Sequence, residues 1–105
     1  MEFRVLKYFL TVAREENMTK AAESLYITQP TLSRQIAELE EEIGTPLFVR
    51  SNRNVVLTDA GILLRRRVDE LLAIESKIKD DFSEKGEVRG NVSIGMAEAA
   101  SANTV

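Results

Sequence analysis

Residues 17–44 read NMTKAAESLYITQPTLSRQIAELEEEIG and hold two helical patterns separated by a turn of a few residues. In the second, Leu32, Ile36, Leu39 and Ile43 recur at i, i+4, i+7 and i+11, which keeps one apolar stripe toward a core. Pro30, Arg34, Ala37 and Glu41 form the opposite stripe. Thr28 suits the N-cap, and Pro30 in the first turn gives up an amide hydrogen that no helical carbonyl would accept, so a helix over about 29–43 is expected. Its first two turns carry Gln29, Pro30, Thr31, Ser33 and Arg34, side chains that are short or able to donate hydrogen bonds. The last two carry Glu38, Glu40, Glu41 and Glu42, which repel phosphate and sit badly against the negative helix end. Only the first half could approach a nucleic acid closely, the docking expected of the recognition helix in a helix-turn-helix. Read alone, the helix fits equally an ordinary amphipathic helix with a solvated polar face.

Upstream, residues 2–16 form a first helical pattern with Phe3, Leu6, Phe9, Leu10 and Ala13 on the side expected to be core. Asn17 caps the next helix, with Thr19 nearly as suitable, and Ala21, Ala22 and Leu25 face inward. Adjacent alanines let another helix axis come close, as the crossing in a helix-turn-helix requires. Tyr26, Ile27 and Thr28 make a turn that lacks glycine, with Ile27 expected to be buried. Downstream, Gly44 and Pro46 end the helix. Leu47 to Val49 and Val55 to Leu57 then read as short strands around the polar run Arg50 to Asn54, a hairpin projecting as a wing. Arg50 and Arg53 at its tip suit phosphate contact or a narrow minor groove, although a solvated loop often carries two arginines.

Thr58 caps a long helix expected to run to about Glu84. Leu64, Val68, Leu71, Ile78 and Phe82 fall on alternating spacings of four and three, with Glu75 in the one missing position: a coiled-coil seam with an acidic interruption. Leu63, Leu72 and Ile74 widen that face, so the helix is expected to pack on both a partner helix and its own domain. A parallel pair would set Glu75 against Glu75, whereas an antiparallel pair can offer Lys77 or Lys79; an antiparallel dimer is therefore expected. Arg65, Arg66 and Arg67 point about 100° apart and cannot form one basic face, so pairing of Arg65 with Asp69 and Arg66 with Glu70 is the favoured role. Beyond Phe82 the run SEKGEVRG reads as a linker, and Val92 to Gly95 as a strand that opens a further domain.

Composition narrows the function classes. The chain has 105 residues, a size at which one small core gains from a partner chain. It contains no Cys and no His, which removes disulfide frameworks, thiolate zinc sites and His-based triads. With no phosphate-cradling glycine loop either, an enzyme is not expected, and neither a metal nor a cofactor is assigned. No apolar run of about 18 residues appears, so neither a membrane span nor a signal peptide is expected, and a cytoplasmic protein is. The net charge of −3 is uneven: residues 1–67 hold ten Lys and Arg against nine Asp and Glu, residues 68–105 four against eight. A near-neutral first part can bind nucleic acid through clustered cations, though with low nonspecific affinity. The acidic total keeps open an alternative, a winged-helix module for protein–protein contact, which would expose apolar anchors where this chain has Arg34, Arg50 and Arg53.

The run AAESLYITQPTLSRQIAELEEEIGTPLFVRSNRNVVLTDAG resembles the N-terminal DNA-binding domain of LysR-type transcriptional regulators. The likeness covers about residues 3–85. It rests on an ordered set: Ala21, Ala22, Leu25, Gln29, Pro30, Ser33, Arg34, Leu39, Glu40, Gly44, Leu47, Phe48, Arg50, Arg53, Leu57, Thr58, Ala60 and Gly61. Asn17 and Thr28 stand where that family often has serine, and both still cap. The resemblance implies a mainly α fold, a winged helix-turn-helix with a short two-stranded wing followed by a long dimerisation helix. It also implies a sequence-specific regulator that binds double-stranded DNA as a homodimer, with a tetramer open for the intact protein. Gln29, Pro30, Thr31, Ser33 and Arg34 would then face the major groove, Arg50 and Arg53 serve the wing, and Thr19 and Lys20 meet the backbone. Three regions are expected: 1–58 the winged helix-turn-helix, 59–85 the linker helix, and 86–105 the start of an effector-binding domain. A truncated regulator is implied, whose small-molecule effector would bind only in the absent C-terminal domain.

Overall fold

The computed structural model describes residues 1–52 and 54–83. In chain order it contains α1 (Phe3–Glu15), α2 (Met18–Leu25), α3 (Gln29–Ile43), β1 (Phe48–Arg50), β2 (Val55–Leu57) and α4 (Asp59–Asp81). These fall into two units, Met1–Val68 and Asp69 onward. The expected linker after Ser83, the Val92 to Gly95 strand and the wing-tip Arg53 lie outside the described residues.

Caps mark the helix ends. The Asn17 side chain accepts from the Lys20 N–H at 2.8 Å, and Thr28 Oγ1 accepts from the Thr31 N–H at 3.3 Å. Each satisfies one amide that the first helical turn leaves without a partner. At the other ends, Glu16 (φ 54°), Tyr26 (φ 60°) and Gly44 (φ 95°) all turn the chain in the left-handed region, yet only the last is glycine. The turn between α2 and α3 thus obtains from a tyrosine the conformation that glycine adopts without a steric cost.

The first unit is built around Phe9, Val12, Leu32, Ile36, Leu39, Leu47 and Val68, all fully buried. Leu32, Ile36 and Leu39 occupy the expected stripe, with Ile43 half-buried at its end. On α1 the buried face is rotated from expectation. Val5 and Val12 are buried beside Leu6 and Phe9, while Phe3 is 42% exposed and Leu10 and Ala13 are only half-buried. A stripe taken as 3-6-9-10-13 is displaced: α1 packs on α2, α3 and β2, and the face it buries runs through Val5, Leu6, Phe9 and Val12. Ile27, expected to be buried, is half-buried.

β1 and β2 pair antiparallel with Phe48 opposite Leu57, Val49 opposite Val56 and Arg50 opposite Val55. The first strand begins one residue later than expected, after the fully buried Leu47. Phe48 points inward, its ring 5.3 Å from that of Phe9, and the Val55 N–H donates to the Glu16 carbonyl at 3.1 Å. The hairpin is therefore fastened to the end of α1. Thr58 caps α4 by accepting from the Gly61 N–H at 3.0 Å, and its hydroxyl donates to the Pro46 carbonyl at 2.8 Å. The helix ends at Asp81, three residues short of the expected Glu84.

Candidate nucleic-acid interface

The first two turns of α3 present their polar side chains outward from a firmly packed base. Leu32 and Ile36 are buried beneath them, so the helix cannot rotate without exposing core. Gln29 Nε2 donates to Ser33 Oγ at 2.8 Å, one turn on, and the Thr28 hydroxyl donates to Thr31 Oγ1 at 2.8 Å. Gln29, Pro30 and Arg34 are exposed, and Thr31 and Ser33 half-buried. Arg34 Nε lies 3.9 Å from Glu38 Oε2, with both side chains 61% exposed. A pair that long and that wet contributes almost nothing to the fold and leaves the guanidinium available to a stronger acceptor.

The acidic second half of α3 differs from expectation at one position. Glu40, grouped in the sequence with the outward carboxylates, is half-buried, and its Oε2 accepts from the backbone N–H groups of Leu47 at 2.7 Å and Phe48 at 3.2 Å. The chain reverses after Gly44 and brings those two amides back over the end of α3, where the one oxygen of Glu40 accepts from both. Glu42 accepts an ion pair from the N-terminal ammonium of Met1 at 2.9 Å. Glu38 and Glu41 remain on the surface.

Thr19 and Lys20 are exposed at the start of α2. Arg50, the last residue of β1, is exposed beside a turn closed by the Ser51 N–H and hydroxyl, which both donate to the Asn54 carbonyl at 2.9 and 3.3 Å. The α2 start, the α3 start and the wing thus each expose polar or cationic side chains. Among the described residues no cluster of three or more His, Cys, Asp or Glu could hold a metal ion, and no helix is long and apolar enough to cross a membrane. Of the seam positions on α4, Val68 is fully buried within the first unit and Leu64 is half-buried. Leu71, Ile78 and Phe82 are exposed, as is Ile74. Tyr26, which the sequence presents only as a connector, is the most exposed large hydrophobic residue among the described residues, at 95%.

Comparison with known proteins agrees with this geometry. Residues 3–62 match the family model described as bacterial regulatory helix-turn-helix protein, lysR family. The HTH-type transcriptional regulator BudR of Klebsiella aerogenes is 45% identical over 104 residues, covering 94% of this chain and 70% of BudR. A probable cat1 operon transcriptional activator of Acinetobacter lwoffii is 53% identical over 72 residues, covering 69% of this chain but 24% of that protein. Among solved structures, the CbnR_DBD–DNA complex superposes with a TM-score of 0.73 at 40% identity, covering 76% of this chain and 92% of that one.

Proposed function

This chain belongs to the lysR family of bacterial regulatory helix-turn-helix proteins, and on that premise we propose that it is the sequence-specific DNA-binding module of a transcriptional regulator. The first two turns of α3 enter the major groove, where Gln29, Thr31, Ser33 and Arg34 reach base edges and Pro30 packs against the groove floor. Thr19 and Lys20 meet the backbone on one side, and Arg50 with Arg53 on the wing meets the backbone or a narrow minor groove on the other. The observation that carries this reading is the division of α3: outward hydrogen-bonding side chains and a barely engaged Arg34 on its first half, carboxylates confined to its second. A protein-contact surface would instead expose apolar anchors on that first half.

Two copies join through the exposed apolar residues of α4, Leu71, Ile74, Ile78 and Phe82, which leave water on association. An antiparallel pairing keeps the two Glu75 side chains apart and fixes the distance between the two α3 helices, hence the spacing of the half-sites. The working compartment is the cytoplasm, where the duplex target lies. No small-molecule site is assigned to the matched region.

The experiment is selection of bound duplexes from a random pool by the 105-residue chain at several salt concentrations. Enrichment of a two-fold symmetric site, with affinity falling steeply as salt rises, is the expected result. No enrichment at low salt by a folded dimer would overturn the assignment in favour of protein contact.

A further inference from the structure

Tyr26 combines two properties: it is the left-handed C-cap of α2, a place glycine fills more freely, and its side chain is left exposed. It adopts φ 60° and ψ 38°, held by its own N–H donating to the carbonyls of Ala22 and Glu23 and by the Ile27 N–H donating to the Ala22 carbonyl at 3.1 Å. For a bulky side chain that conformation is unfavourable, and glycine would adopt it freely. Burial offers no compensation, because the side chain is 95% exposed. Glu16, the other left-handed non-glycine among the described residues, differs in that its carbonyl accepts from Val55 and fastens the wing. A tyrosine ring left 95% exposed at this corner, with its hydroxyl free to donate, is available to a contact outside the isolated chain.

Position identifies that contact. Tyr26 stands two residues before the Thr28 cap and three before Gln29, so it lies at the corner at which α3 begins, with its ring exposed there. When the first half of α3 occupies a major groove about 12 Å wide, side chains at that corner face a groove wall, which is made of phosphates. We propose that the Tyr26 hydroxyl donates a hydrogen bond to a backbone phosphate oxygen flanking the groove and so sets the depth at which α3 docks. This rests on the DNA-binding reading above. A phenol is neutral, so the contact strengthens binding to any sequence without releasing a counterion.

The test compares the 105-residue chain with Tyr26→Phe and Tyr26→Gly, measuring thermal midpoint and affinity for a random-sequence duplex across a salt series. Tyr26→Phe, which removes only the hydroxyl, is expected to bind about fivefold more weakly at every salt concentration with an unchanged salt slope. Tyr26→Gly is expected to lose at least as much affinity while keeping or raising the thermal midpoint, since glycine relieves the strained backbone. Lys20→Ala serves as the charged control, lowering the slope by about one. Parent-like binding by both tyrosine variants would overturn the contact and leave the DNA-binding reading standing. So would a loss confined to Tyr26→Gly with a lowered midpoint, which would make the ring a structural element. If the parent itself bound no duplex, both readings would fall.

Discussion

The two ends of α3 use their polar atoms in opposite ways. At its far end, where α3, β1 and the start of α4 meet, the polar atoms serve the protein. Glu40 takes the Leu47 and Phe48 amides, the Leu47 carbonyl takes the Thr58 N–H at 3.0 Å, and the Thr58 hydroxyl bridges Pro46 and Gly61. At its near end, the Gln29 side chain donates to Ser33, and Arg34 is engaged by a long, exposed ion pair. The first arrangement makes a corner that sets the angle between helix and wing; the second leaves donors for an outside acceptor. Stability and recognition should therefore respond to different residues.

The largest effect is expected at Gly61. A Cβ added there would run into the Leu47 carbonyl oxygen and lie 2.8 Å from Leu57 Cδ2, so backbone must shift to admit it. Gly61→Ala should lower unfolding free energy by about 3 kcal/mol in a denaturant titration. A change below about 0.5 kcal/mol would mean that the corner yields easily, and the contrast with the near end would collapse. Glu40→Ala comes next, leaving two partly buried amides without an acceptor at a cost of about 2 kcal/mol. Glu40→Gln, which keeps one side-chain oxygen, should lose less, and equal losses would show that charge rather than acceptance matters there. Smallest in stability is Arg50→Ala, expected to stay within about 0.5 kcal/mol of the parent. In DNA binding it should weaken all sequences alike and lower the salt slope by about one, measured by titration at several salt concentrations.

How far the sequence reveals this molecule follows the same division. Local periodicity and caps located α2, α3 and both strands, because Asn17, Thr28, Gly44 and the Leu32–Ile36–Leu39 stripe act within a few residues of themselves. Pro30 and Arg34 were legible as outward for the same reason, since they lie opposite the buried stripe; Thr31 and Ser33 flank that stripe and are half-buried. Glu40 was not, since its partners come from a reversal several residues later and its neighbours Glu41 and Glu42 point to solvent. The need for glycine at 61 was equally hidden, being set by a carbonyl fourteen positions away. On α1, two overlapping apolar stripes compete in the sequence, and the folded chain buries the one through Val5 and Val12.

The most direct test of the account is the ratio of affinities for the selected duplex and a random one, measured for the parent and for Arg34→Ala. If Arg34 reads a base edge, the variant keeps its thermal midpoint and its affinity ratio shrinks by at least about fivefold, because one bidentate contact is worth about 1–3 kcal/mol of discrimination. Equal losses on both duplexes, with the ratio unchanged, would make Arg34 a backbone contact and contradict the claim that the near end of α3 reads sequence.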